Sequence, residues 1–215
     1  GEKRASKSLL LEKATGKRYL HLATHGFFKM IPEAPMPQEK QRSRGAIPLW
    51  NEELGQRTKI PEGVNPMLYS GIVLAGANLE KKEEQGKGKE EGLLTAEELA
   101  GMNLKGTELL TLSACETALG EGLSGQGVSG LRLATQVAGA RATLLSLWKV
   151  DDIGTQLFMQ RFYSKLWNEN KGRLQALQET RLEWIENQRQ RKRGPNGEDI
   201  YSPKVWASFI LSGQR

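Results

Sequence analysis

Two residues with nucleophilic and acid–base chemistry, His25 and Cys115, each follow a segment that predicts a β-strand. Residues 18–24 (RYLHLAT) alternate and end at His25, and the apolar residues 109–113 (LLTLS) end shortly before Cys115. A thiol with its ordinary pKa of about 8.5 is mostly protonated at neutral pH, and a nearby imidazole supplies the base or ion-pair partner that makes it a nucleophile. If the two strands are neighbours, the sequence predicts a thiol–imidazole pair in one cleft.

The backbone beside these side chains also fits acyl-transfer chemistry. Gly26 follows His25 directly, and a glycine lets a substrate approach the main chain closely. The backbone N–H groups of Gly26 and Cys115 are therefore predicted to form an oxyanion hole for a polarised carbonyl.

The segments around this pair alternate between strand and helix patterns. Further strands are predicted at residues 71–75 and 143–148, and helices begin at a Thr95 capping box, near Val128 and at Asp151–Asp152. This alternation predicts an α/β fold with a mainly parallel sheet. In such sheets, ligands bind beyond the carboxyl ends of the strands, which is where His25 and Cys115 fall.

Two long loop insertions interrupt the pattern. Six of the eight prolines lie between residues 32 and 66, which predicts a loop over about 29–66. The segment KKEEQGKGKEE predicts a second loop over about 80–92. Apart from these insertions, residues 1–215 are expected to form one domain. The start at Gly1 indicates a fragment or a processed product.

Composition excludes several function classes. The chain has 215 residues, of which 38% are hydrophobic and 26% charged, an ordinary globular balance. One cysteine excludes an intrachain disulfide, and with two histidines it is too few for an ordinary structural zinc site. We expect no metal and no cofactor. No apolar run approaches the roughly 18 residues that span a bilayer and no signal peptide opens the chain, so a cytoplasmic protein without membrane contact is expected.

The net charge of +6 is modest, and part of it lies in the run RQRKR at residues 189–193. Nucleic-acid binding normally shows a larger basic excess organised on one face. The run follows a helical pattern and precedes Gly194 and Pro195, so it is interpreted as a solvated helix end. This domain is therefore not expected to bind nucleic acid directly.

Five segments together resemble a CHAT domain, a member of the caspase- and separase-like proteins of peptidase clan CD. They are ATHG at 23–26, SGIVLAGAN at 70–78, GLLTAEELAGMNLKGTELLTLSACETALGEG at 92–122, GLRLATQVAGARATLLSLWKVDD at 130–152 and WASFILSG at 206–213. The resemblance implies a caspase-like three-layer sandwich with helices on both faces of the sheet. It also implies a cysteine endopeptidase acting on protein substrates, with a catalytic dyad at His25 and Cys115. Tetratricopeptide repeats upstream or another regulatory partner are implied as well.

The same resemblance places the substrate near the end of the strand at 143–148. By analogy with caspase-like enzymes, a substrate strand is expected to pair with residues 146–149, and Trp148 to line a pocket. Asp151, Asp152 and Glu116 are the acidic residues nearest this cleft. A carboxylate in the first pocket favours a basic substrate residue, so cleavage after Arg or Lys is expected.

Each of these residues also has a structural interpretation. A free cysteine is more often a small buried hydrophobe than a nucleophile. His21 alternates within a predicted strand and is expected to be a core histidine. Asp152 is expected to be a helix N-cap, with Asp151 exposed, and Trp148 fits a core position.

Other functions remain open at this stage. A catalytically silent caspase-like domain that binds partners is the main alternative to a protease. A nucleic-acid module on residues 189–193 is a third. The glycines from 120 to 127 resemble a phosphate-binding loop but lack the Gly-Lys-Ser/Thr ending. In the protease interpretation, both long loops are expected to become ordered on activation, and either is a candidate site of self-cleavage.

Overall fold

The described residues contain the strands of one sheet. They are β1 (Tyr19–Phe28), β2 (Ser70–Val73), β3 (Leu93–Thr95), β4 (Leu109–Glu116), β5 (Ala142–Ser146) and β6 (Phe209–Gly213). The computed structural model describes residues 5–28, 67, 70–77, 92–116, 124–148, 150–197 and 199–214. The predicted loop at 29–66, and that at 80–92 apart from Gly92, lie outside the described residues.

The sheet has the order β3-β2-β1-β4-β5-β6. Its centre is parallel, since β4 pairs parallel with both β1 and β5. The outer pairings, β1 with β2, β2 with β3 and β5 with β6, are antiparallel. Parallel strands are normally buried on both faces, which explains the continuous apolar run of β4. The predicted α/β fold is confirmed, with the parallel strands confined to the centre of a mixed sheet.

Helices cover both faces of the sheet. They are α1 (Lys7–Lys13), α2 (Ala96–Ala100), α3 (Ser124–Val137), α4 (Asp152–Tyr163), α5 (Arg173–Arg189) and α6 (Pro203–Trp206), and a π-helical turn (Ser164–Asn168) extends α4. None of the helices in the described part of the chain is long and apolar enough to cross a membrane.

Two apolar cores result, one on each face. Leu110 and Leu112 of β4 join the core beneath α2 and α3, whereas Leu109 joins the core beneath α4, α5 and α6, which includes Phe158 and Phe209. Successive residues of a strand point to opposite faces, so one strand contributes to both cores. The architecture is a three-layer sandwich compatible with the caspase-like fold.

Two helix starts test the capping predictions. The Thr95 capping box is confirmed, because its hydroxyl accepts from the Glu98 N–H and the Glu98 carboxylate accepts from the Thr95 N–H. The prediction that Asp152 caps α4 is wrong: the cap is Asp151, whose Oδ2 accepts from the Gly154 N–H at 2.6 Å. Aspartate is a good N-cap at either position, and Asp151 is the one that caps the helix.

Several strands and helices begin or end at residues other than those predicted. Strands β1 and β4 are longer than predicted, so His25 and Cys115 lie within strands rather than beyond them. Helix α3 already begins at Ser124, which places Gly125 and Gly127 in a helix and not in a loop. The last apolar segment divides into α6 and β6, because Ser202 caps a helix with Pro203 at its start. Helix α5 ends at Arg189, as the interpretation of the basic run requires.

Candidate active site

The parallel pairing of β1 with β4 brings the two predicted catalytic positions side by side. His25 is in register with Cys115, and Gly26 with Glu116, at the carboxyl end of the parallel ladder between the two strands. In a parallel ladder, paired positions lie on the same face of the sheet. His21, Ala23 and His25 therefore share a face with positions 111, 113 and 115. The side chains of Cys115 and Glu116 lie outside what the structure describes.

A cleft of about 560 Å³ opens on this face, between the strand ends and helix α4. His25 is exposed within it. The cleft is lined by His21, Ala23, Thr24, His25, Ser113, Val150, Asp152, Thr155, Gln156, Met159, Gln160 and Tyr163. Among these described lining residues Asp152 is the only carboxylate, and none is a lysine or arginine.

One end of the cleft is built from a hydrogen-bonded group that the sequence did not predict. The Tyr163 hydroxyl donates to Thr111 Oγ1 at 2.9 Å and lies 3.1 Å from His21 Nδ1. Burial raises the pKa of Tyr163, and the hydrogen bond to Thr111 opposes this effect. The prediction of His21 as a core histidine is wrong, because the residue is exposed in the cleft. Even so, the surrounding protein removes enough water from the ring to lower its pKa.

Three of the four predicted substrate-binding residues have described side chains, and their surroundings differ. Asp152 lines the cleft together with His25. The Asp151 carboxylate is engaged as the cap of α4. Trp148 is 39% exposed, and its indole N–H donates to the Lys204 carbonyl oxygen at 2.9 Å, so it is neither a core residue nor part of the cleft lining.

The predicted docking segment at 146–149 is covered on one side. Ser146 is in register with Phe209 of β6, and the Leu147 N–H donates to the Ser208 carbonyl oxygen at 2.7 Å. On its other side, the described pairing of β5 with β4 ends at Leu145. The expectation that a substrate strand pairs here is therefore limited to the side that faces β4.

Helix α4 supplies a wall of the cleft, of which Asp152 alone is predicted from the sequence. Asp152, Gln156, Gln160 and Tyr163 line the cleft and follow one another at intervals of three or four residues. That spacing places them on one face of a helix. A polar stripe beside the buried face that carries Phe158 and Phe162 is the signal that identifies this wall.

No group of three or more His, Cys, Asp or Glu side chains suited to a metal ion occurs in the described ranges. A search of curated proteins found no match to the chain. The family model of the CHAT domain matches residues 2–214. Because this match spans essentially the whole sequence, the chain belongs to the CHAT domain family, a relative of the caspase-like peptidases.

Proposed function

We propose that this protein is a cysteine endopeptidase that hydrolyses peptide bonds in protein substrates through His25 and Cys115. The observation that carries the proposal is the register of β1 and β4, which pairs the two positions at the carboxyl end of the sheet. The cleft on the same face provides space for a substrate, and His25 lines it. Membership of a peptidase-related family supports the same chemistry.

In the proposed mechanism, the Cys115 thiolate attacks the carbonyl carbon of the scissile peptide bond. The backbone N–H groups of Gly26 and Cys115 are the proposed donors to the oxyanion that forms. His25, as imidazolium, donates a proton to the leaving nitrogen, so the amine departs and a thioester remains. His25 then takes a proton from water, which hydrolyses the thioester, releases the acid product and returns the thiolate.

The cleft favours a basic residue before the scissile bond. Asp152 lines the same cleft as His25, and no cationic lysine or arginine lines it among the described residues. A buried guanidinium or ammonium needs a charged or polar acceptor. We therefore propose cleavage after Arg or Lys. Profiling with a peptide library tests this, and a preference for Asp at that position would contradict it.

The variants Cys115→Ala and His25→Ala test the dyad. Cleavage of a substrate selected from the library should fall by on the order of 10³-fold or more in each, as removal of a nucleophile or base does in other proteases. The circular dichroism spectrum of Cys115→Ala should match that of the wild type. Cleavage that persists in Cys115→Ala would falsify the assignment.

A thiol-reactive peptide probe separates the protease from a silent interaction domain. An enzyme should be labelled once, at Cys115, and labelling should be lost in His25→Ala because the imidazole activates the thiol. A silent domain should show only the slow labelling of an ordinary thiol. Self-cleavage is tested by intact mass after incubation of wild type and Cys115→Ala. Regulation by a partner or by upstream tetratricopeptide repeats belongs to the same proposal.

A further inference from the structure

We propose that His21 is a specificity-determining residue, the closed end of a pocket that receives the Lys or Arg side chain before the scissile bond. This inference rests on the proposed peptidase function and adds to it a residue and a hydrogen-bonding role. The observation behind it is an exposed histidine that shares the cleft with His25 and bonds to a tyrosine on the opposite wall.

The cleft extends along β1 from His25 to His21. His21 and His25 are four residues apart on β1, which is about 13 Å along a strand. Among the described residues, the level between them carries Ala23 and, in register on β4, Ser113. Both side chains are small, so neither of them fills the middle of the cleft. A side chain that enters beside His25 therefore has to extend past Ala23 before it meets the His21 ring.

The hydrogen bonds of Tyr163 determine which nitrogen of the His21 ring is free to accept a hydrogen bond. Tyr163 has one hydroxyl proton, which it donates to Thr111 Oγ1 at 2.9 Å. Its oxygen is then the acceptor for His21 Nδ1 at 3.1 Å, so the proton of the neutral ring lies on Nδ1. This tautomer leaves Nε2 of His21 as a hydrogen-bond acceptor. An acceptor suits a substrate side chain that ends in N–H donors.

The charges around the ring favour the same class of side chain. Partial burial lowers the pKa of His21, which keeps the ring neutral at physiological pH. Among the residues whose side chains are described, the ionisable groups that face the cleft with it are Tyr163 and Asp152 from α4 and His25 from its own strand. The one carboxylate in this set attracts a cation, and the neutral ring does not repel it.

The Tyr163 ring that orients His21 is itself held in place. It stacks on Trp167 with centroids 4.5 Å apart and planes 11° apart, and Trp167 makes an edge contact with Tyr19 at 5.6 Å. Tyr163 ends α4 and Trp167 lies in the π-helical turn that follows. Tyr163 is thus a positioning residue, which acts on the substrate through His21.

The test compares two peptides that differ only in the residue before the scissile bond, Lys in one and its uncharged analogue norleucine in the other. We measure kcat/KM for both with the full chain, as wild type and as His21→Phe and His21→Gln. The Phe ring fills a similar volume but accepts no hydrogen bond. The Gln side chain restores an acceptor. The wild type should prefer Lys. His21→Phe should lower the Lys/norleucine ratio about tenfold, chiefly through a lower kcat/KM for Lys, and His21→Gln should retain most of the preference.

Two outcomes would overturn the inference while leaving the peptidase proposal standing. In one, His21→Phe keeps the Lys/norleucine ratio within twofold of wild type. In the other, it lowers kcat/KM for both peptides equally, which is the result of a purely structural role. If His21→Phe does not fold, the comparison uses Tyr163→Phe, which removes the hydroxyl that fixes the tautomer and should lower the ratio several-fold. A wild-type chain that cleaves no library peptide and is not labelled at Cys115 overturns the peptidase proposal, and this inference with it.

Discussion

At the scale of single residues, two consecutive carboxylates at the start of α4 have different surroundings. Asp151 Oδ2 is committed to the Gly154 N–H. Asp152 is the first residue of the helix, is exposed and lines the cleft beside His25. The first carboxylate therefore contributes to stability, and the second is available to a substrate.

This difference predicts that alanine at position 151 lowers stability, whereas alanine at position 152 weakens substrate preference. Asp151→Ala should lower the free energy of unfolding by about 1 kcal/mol, the usual cost of losing an N-cap. Asp152→Ala should change it by less than about 0.5 kcal/mol, as exposed substitutions usually do, but should weaken the preference for a basic substrate residue. Urea denaturation of both variants measures the first effect, and peptide profiling the second. A larger loss of stability in Asp152→Ala contradicts the assignment of the cap.

The residues at the cleft show what the sequence can predict about a site. His25 and Cys115 were identifiable because their types fit one chemistry and both follow strand patterns. The register that places them side by side could not be predicted, since it depends on pairing between segments about 90 residues apart. His21 was misjudged because strand alternation indicates that a residue lies on a face, but not whether that face is covered. Tyr163 was missed because its role depends on contacts with His21 and Thr111 across the cleft.

At the scale of elements, a group of ion pairs fastens α5 to α4 and its π-helical turn. Lys165 in the turn is only 4% exposed, and its Nζ lies 2.9 Å from a Glu183 carboxylate oxygen and 3.3 Å from one of Glu179. Arg161 of α4 adds a bond of 2.7 Å to Glu183. Burial by itself lowers the pKa of Lys165, but the bonds to these carboxylates outweigh it and raise the pKa. The group supports the turn that holds Trp167 against Tyr163.

The pH dependence of stability should report on this group. The hydrogen bond from Arg161, together with that from Lys165, lowers the pKa of Glu183 from its ordinary 4.5 to about 2. A carboxyl with a lowered folded-state pKa stabilises the fold above its unfolded pKa, and this stabilisation is lost as the pH falls through the folded value. The melting temperature of the wild type should therefore fall more steeply between about pH 5 and pH 2 than that of Glu183→Gln. Parallel curves for the two proteins would contradict this role of Glu183.

The close approach of β1, β2 and β3 predicts a second effect at this scale. A Cβ on Gly71 would overlap the Leu94 carbonyl oxygen of β3 and lie 2.6 Å from the Phe27 ring of β1. Gly71→Ala should therefore destabilise the chain by about 1–3 kcal/mol, the usual range for overpacking. Gly101→Ala is the matched control, because φ there is −75° and the nearest atom lies 3.4 Å away. Equal stability of the two variants in urea would contradict the close packing.

Long patterns and the Thr95 capping box predict their elements correctly, whereas β3 and α6 are not predicted. Helices α3 and α4 are long enough to show a helical period, and β4 and β5 are recognisable as continuous apolar runs. Strand β3 has three residues and α6 has four, which is too few to show a period. Their structure is fixed instead by pairing with β2 and by the Ser202 cap.

At the scale of the whole molecule, one sheet joins two cores. Leu112 contributes to the core beneath α2 and α3, and Phe158 belongs to the core on the other face, where it stacks on Phe209 with centroids 5.4 Å apart. Both cores depend on the same central strands. Loss of packing on either face should therefore weaken the whole described fold, including the strand ends that carry His25 and position 115.

The expectation that residues 1–215 form one domain can be tested through these cores. Leu112→Ala should lower the free energy of unfolding by about 2–5 kcal/mol and Phe158→Ala by about 3–5 kcal/mol, because both side chains are fully buried. In each variant, far-UV circular dichroism and tryptophan fluorescence should follow one coincident transition in urea, since the shared sheet couples the faces. Leu182→Ala, at a side chain that is 63% exposed, is the control and should stay within about 0.5 kcal/mol of wild type. Two separate transitions, or a variant in which one face melts while the other persists, would show that the faces are independent units and that the cleft on the α4 face does not depend on the opposite core.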